Sequence, residues 1–179
     1  MKPGYIEKDK RKKIMLMSDD IRFFSGIATM SRELVLGTAH HYNWVQLGGS
    51  INHPDKGKIA DLSQEVDKQV GITDSYIRIY PVDGYGDQNV VRQLLELEKP
   101  DMIMLFTDPR YWIWFFQMEA EIRKNIPITY YSIWDCEQEP LYNFPYYASC
   151  DGIFSISKQS HNLTKKVLTW GEHSHKEII

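Results

Sequence analysis

The segment Lys13–Leu36, KIMLMSDDIRFFSGIATMSRELVL, constrains this chain more than any other. Ile14, Met15, Leu16 and Met17 form an unbroken apolar run, as a strand covered on both faces requires. Ser18, Asp19 and Asp20 end the run. Gly26 stands just before the next periodic stretch, where a side chain would obstruct close backbone approach. Ile27, Met30 and Leu34 then recur at helical spacing, with Arg32 and Glu33 on other faces. A buried strand, a polar loop and an amphipathic helix make the opening unit of a doubly wound α/β domain. Such domains bind ligands beyond the carboxyl ends of their strands, near helix N-termini.

The remaining chain repeats the alternation. Strands are expected near 13–18, 43–47, 76–80, 102–106, 128–134 and 153–156. Gly48-Gly49 should close the second, and Pro81 marks the third as an edge or a strand end. Residues 50–75 read as a polar excursion with at most a short helix. Val90, Val91, Leu94 and Leu95 give a helix over 89–98, stopped by Lys99-Pro100-Asp101. Another, unusually aromatic helix is expected over 110–125, and a further one over 158–170 with Gly171 as its C-cap. The fold class is therefore α/β, a Rossmann-like parallel sheet with right-handed crossovers. Asp19, Asp108, Asp135 and Ser157 each follow a strand, so this topology would collect them at one rim.

With 179 residues, one domain is the default reading. It would occupy 13–170, after a flexible basic leader over 1–12 and before a linker beginning at 171–179. The leader's lysines and Arg11 offer weak peripheral contact with anionic lipid, but without an apolar face a solvated tail is the simpler reading. A net charge of −3 argues against a dedicated nucleic-acid binder. No apolar run reaches transmembrane length, and no signal peptide is visible, which points to the cytoplasm. The two cysteines, Cys136 and Cys150, fit neither a disulfide framework nor a zinc pattern. The six histidines show no metal-binding spacing, and neither a Walker A loop nor a Gly-x-Ser-x-Gly elbow is present.

Four segments together resemble the N-terminal half of a GT-B glycosyltransferase, most of all the retaining family 4 group. They are KIMLMSDDIRFFSGIATMSREL, EKPDMIMLFTDP, IPITYYSIWD and YYASCDGIFSISKQSHNLTKKV, in family order across 14–168. Two departures stand out. Ser25-Gly26 replaces the usual paired glycines, and Trp134-Asp135 replaces a His-Asp pair. The resemblance implies a nucleotide-sugar donor, an unknown acceptor, no catalytic metal and no other cofactor. It also implies a second Rossmann-like domain C-terminal to this one, which would hold most of the donor site, including a Glu-x7-Glu element absent here. The chain would then be the acceptor side of a hexosyltransferase-type enzyme, inactive by itself. A non-catalytic α/β module that binds sugar or nucleotide is the alternative. A nucleotide-dependent epimerase is disfavoured because the first loop lacks Gly-x-Gly-x-x-Gly.

On that resemblance the candidate site residues are Asp135 for catalysis and Asp19, Ser25, Gly26, Asp108 and Ser157 for donor or acceptor binding. Each has a plainer reading beside it. Gly26 can present helix amides to a diphosphate or only relieve a tight turn. Asp135 and Asp108 can orient a hydroxyl or merely cap a turn. Asp19 and Asp20 can bind a sugar, but two adjacent acids are not a metal-ligand set. The aromatic residues at 111–116 can stack on sugars or simply cover a sheet.

Overall fold

The structure is a computed structural model that describes residues 4–176. Seven strands form it: β1 (Lys12–Asp19), β2 (Tyr42–Ser50), β3 (Ala60–Asp61), β4 (Ile77–Asp83), β5 (Met102–Phe106), β6 (Ile128–Ser132) and β7 (Gly152–Ser155). They make one sheet in the order β3-β4-β2-β1-β5-β6-β7. The helices are α1 (Gly26–Thr38), α2 (Ser63–Val70), α3 (Gln88–Glu98), α4 (Ile113–Phe116), α5 (Glu119–Ile122), α6 (Phe144–Ala148) and α7 (Lys158–Lys176). This is an α/β fold of the doubly wound, Rossmann-like kind, with a mostly parallel sheet flanked by helices. The chain divides into two compact units, Met1–Met104 and Leu105–Ile179.

In the first unit β1 pairs in parallel with β2, from Lys12 opposite Tyr42 to Asp19 opposite Gly49. β2 pairs in parallel with β4, ending at Ser50 opposite Asp83. Asp19, Ser50 and Asp83 thus share one carboxyl edge. Ile14 through Ser18 are all buried, as the apolar run of β1 requires, and Trp44, Val45, Leu47, Ile77 and Ile79 continue the core. β3 adds two residues antiparallel to β4, and so short an edge strand offers little template for another chain. Asp87 starts α3 by accepting from the amides of Asn89 and Val90. Lys99 ends it in the left-handed region at φ 47°, before Pro100.

Gly48 and Gly49 do not close β2 but lie inside it. Their lack of a side chain answers crowding rather than a turn. A Cβ on Gly48 would stand 2.9 Å from Ile79 Cγ2 and 3.0 Å from Asp20 Oδ2. One on Gly49 would stand 2.5 Å from the Gly84 carbonyl oxygen and 2.9 Å from Tyr85 Cδ1. Because the Gly84 neighbour is backbone, it cannot swing away. Gly49→Ala is expected to destabilise the fold by about 1–3 kcal/mol, as overpacking typically does. Denaturant unfolding checks this; an unchanged midpoint would contradict it.

Residues 5–12, expected as a flexible leader, are packed against the first unit. Arg11 is 5% exposed. Its guanidinium donates to Asp74 Oδ1 at 2.6 Å, to the Asp74 carbonyl at 3.0 Å and to the Ile6 carbonyl at 2.7 Å. Tyr5 donates its hydroxyl to Asp74 Oδ2 at 2.7 Å, and a short 3-10 turn spans Lys8–Lys10. The segment reads as a basic tail only because its pairing carboxylate lies more than sixty residues away.

α3 ends in a buried carboxylate. Glu98 is 3% exposed. It accepts from Lys13 Nζ at 2.8 Å, Tyr76 at 2.9 Å and Tyr80 at 2.5 Å. Burial opposes its charge, but these donors outweigh burial and hold its carboxyl below the usual range. Burial and the neighbouring carboxylate push the Tyr80 phenol up to about 12.

In the second unit β6 and β7 run parallel, from Thr129 opposite Gly152 to Ser132 opposite Ser155. The single helix expected over 110–125 is instead a 3-10 turn, Pro109–Trp112, followed by α4 and α5. Phe116 and Met118 are both buried. Two positions apart on one continuous helix they would face nearly opposite ways, so the chain unwinds between α4 and α5 to bury both. Trp112, Phe115 and Phe116 are core, while Tyr111 is 57% exposed. Gly171 is not a C-cap; α7 runs through it to Lys176. A Cβ there would collide with the Phe144 ring, so the glycine serves close packing. Residues 171–176, expected to begin a linker, are helical, and 177–179 lie outside the described residues. Among the described residues no helix is long and apolar enough to cross a membrane.

Candidate functional site

The loop from β1 to α1 builds the best-formed polar site of the first unit. Asp19, at the carboxyl end of β1, accepts from Ser25 Oγ at 2.6 Å and from the Tyr85 hydroxyl at 2.9 Å. Ser25 Oγ in turn accepts from the Ala28 amide at 2.9 Å, making Ser25 the N-cap of the 13-residue α1. One serine therefore starts the helix and orients the carboxylate. Space is open around Gly26, with nothing within 4 Å of where a Cβ would lie. The first turn of α1 thus starts in open space at Gly26, beside an oriented carboxylate. Phe24, in the same loop, is 99% exposed.

Asp20 takes a different part from Asp19. It is wholly buried. The Arg22 guanidinium reaches its Oδ2 at 2.7 Å, and His53 Nε2 lies 3.1 Å from the same oxygen. Burial opposes the Asp20 charge, yet bonds from Arg22 and His53 keep its carboxyl below the usual range. His53 Nδ1 accepts from the Asp55 amide at 3.1 Å, which assigns the ring proton to Nε2, facing Asp20. Arg22 also reaches Asp55 at 3.1 Å. This cluster fixes the loops after β1 and β2, so the adjacent acids divide the work. Asp20 holds the scaffold and Asp19 faces the edge. Among the described residues no three His, Cys, Asp or Glu side chains converge as metal ligands would.

In the second unit Asp108 caps the turn after β5, accepting from the Arg110 amide at 2.9 Å. The Arg110 side chain grips the same carboxylate, through Nε at 2.9 Å and through Nη2. That grip holds the Asp108 carboxyl below its usual range. The guanidinium also lies 5.4 Å from the Tyr142 ring centroid. Thr107, just before, sits at φ 148°, and its carbonyl accepts from the Tyr130 hydroxyl at 2.7 Å. Such strain in a non-glycine residue persists only where surrounding contacts enforce it. Asp135 is exposed beyond β6 and takes a weak contact from Cys136 Sγ at 3.7 Å. Ser157 caps α7: its Oγ accepts from the Ser160 amide at 3.1 Å, and Ser160 Oγ reaches the Trp134 carbonyl at 2.9 Å.

Asp19, Ser25 and Gly26 are brought together in the first unit, as the sequence predicted for one loop. In the second, Ser157 is linked through Ser160 to the Trp134 carbonyl beside Asp135, while Asp108 is engaged by Arg110. The sequence reading missed Tyr85, Arg22, His53 and Arg110. Tyr85 had a visible signal, an aromatic residue between two glycines, since Gly84 and Gly86 adopt φ 59° and 82°. His53 and Arg22 had none, because their partner Asp20 is recognisable only once the loops fold together. No family model, curated protein or solved structure matches this chain.

Proposed function

We propose that the chain is the acceptor side of a cytoplasmic glycosyltransferase of the GT-B kind, acting on a nucleotide sugar with a second Rossmann-like domain. One observation carries the reading: an oriented carboxylate, Asp19, beside the open N-terminus of α1. In this reading Asp19 accepts from a sugar hydroxyl, and the amides after Ser25 and Gly26 face negative charge on the donor. Asp135 orients the acceptor hydroxyl, with Asp108 and Ser157 as binding groups of the second unit. The chemistry uses no metal and no nucleic acid.

Half a cleft lacks the charge stabilisation for a leaving diphosphate, usually the largest catalytic contribution. Nor does it exclude water. The 179-residue chain is therefore expected to release no nucleotide diphosphate from a panel of nucleotide sugars, and to bind acceptor weakly. Adding a C-terminal Rossmann-like domain encoded downstream should restore turnover, and Asp19→Asn should then lower it about tenfold or more. Turnover by the short chain at the rate of a longer one would refute the half-enzyme reading. The exposure of Asp135 favours a second reading, a binding module without catalysis. Binding of a nucleotide sugar without turnover in any longer form would select it.

A further inference from the structure

The second unit contains a groove of about 570 Å³ between α6, α7 and β7. Three periodicities converge on it. Phe144, Tyr147 and Ala148 line it from α6 at helical spacing, Ile153 and Ser155 from alternate positions of β7, and His161 and Lys165 from successive turns of α7. Its volume falls in the range of small-molecule sites. The walls are apolar where Phe144, Tyr147 and Ile153 contribute. Ser155 Oγ is buried without a hydrogen-bond partner, an arrangement that carries a desolvation cost unless a ligand or water supplies one. Among the described residues the Lys165 ammonium has no ion-pair partner, whereas its neighbour Lys166 is bound to Glu139 at 2.7 Å. Asp151 also borders the groove, but Arg123 at 2.8 Å and the Ile128 amide at 2.8 Å engage its oxygens.

We propose that this groove binds a small organic carboxylate with a flat or branched apolar body. The carboxylate pairs with Lys165 and accepts a hydrogen bond from the Ser155 hydroxyl, while the apolar body lies against Phe144 and Ile153. A monoanion fits better than a phosphate, because a single lysine would face two charges with the Asp151 carboxylate nearby. Cys150 takes no chemical part, since burial pushes its thiol up to about 12. The site is independent of the proposed transfer chemistry and stands whether or not that reading holds.

The test uses the full chain labelled with ¹⁵N and titrated with sodium benzoate, with benzyl alcohol as the uncharged counterpart. Benzoate should produce saturable shifts at amides of β7 and the first half of α7, and benzyl alcohol much weaker ones. Lys165→Met, at an exposed position, should weaken benzoate about tenfold and leave benzyl alcohol unchanged. Ala148→Trp, also at an exposed position, should block both ligands by filling the groove. Should that variant fail to fold, Lys165→Met decides the question alone. Shifts that do not saturate, benzoate binding indifferent to Lys165, or inorganic phosphate competing as well as benzoate would each overturn the assignment.

Discussion

Glu98→Ala is expected to lower the unfolding free energy by about 3–5 kcal/mol, the usual cost of removing one partner from a buried ion pair. The loss has little to do with the attraction between Glu98 and Lys13 alone. Three donors, Lys13, Tyr76 and Tyr80, converge on one carboxylate whose side chain is 2% exposed. Deleting it leaves two phenols with no acceptor and the ammonium with only the Glu98 backbone carbonyl, at 2.7 Å. Glu98→Gln keeps the shape and one acceptor, so it should cost less, about 1–3 kcal/mol. The sign of the pH effect follows from the depressed Glu98 carboxyl. Its contribution is fully present above the unfolded value, about 4.3, and disappears as pH falls through the lower folded value. The wild-type chain should therefore lose stability below about pH 4, and Glu98→Gln should flatten that limb. Urea titrations across acid pH measure both, and a loss under 1 kcal/mol for the alanine variant would contradict the account.

Asp20→Ala should be nearly as damaging, at about 3 kcal/mol. It strips the buried acceptor from Arg22 and from His53, whose side chain is wholly buried. Its damage should also be local. The loops after β1 and β2 would lose their common anchor, and amide exchange at residues 20–24 and 53–57 should accelerate more than in β1 itself. The Asp20 carboxyl is depressed too, so its contribution fades as pH falls below the unfolded value of about 3.9. Nitrogen shifts of His53 provide a separate check. A proton found on Nδ1 rather than Nε2 would show that the Asp55 amide does not donate to the ring as described.

The parts of the fold that were readable in the sequence were those decided by local pattern. Ile14 to Met17 and Met102 to Phe106 are continuous apolar runs, and both are strands. The stripe through Val91 and Leu94, with Asp87 before it and Lys99-Pro100 after it, marks α3 at both ends. Ser25 and Asp19 could be placed in one loop for the same reason. What stayed hidden depended on partners distant in sequence. Gly48 and Gly49 looked like punctuation because the groups that crowd them, Ile79, Asp20 and the Gly84 carbonyl, belong to other segments. Gly171 looked like a helix stop because Phe144 was out of view. The aromatic run at 111–116 suggested one helix, since its break at Gln117 serves core burial rather than any local propensity.

The bond between Tyr5 and Asp74 joins positions 69 apart in the chain. Arg11 and the Lys8 amide meet the same residue. Asp74 belongs to the connection between α2 and β4, so this is a clasp that closes a long loop. The entropy of closing such a loop grows only slowly with its length. The β1–β2 and β2–β4 pairings already bring the two segments together, so the contacts at Asp74 add to a loop that the sheet has closed. Residues 5–11 and the α2–β4 connection are therefore linked thermodynamically. Whatever frees one loosens the other, and the segment from Tyr5 to Arg11 acts as the far end of a loop in mid-chain.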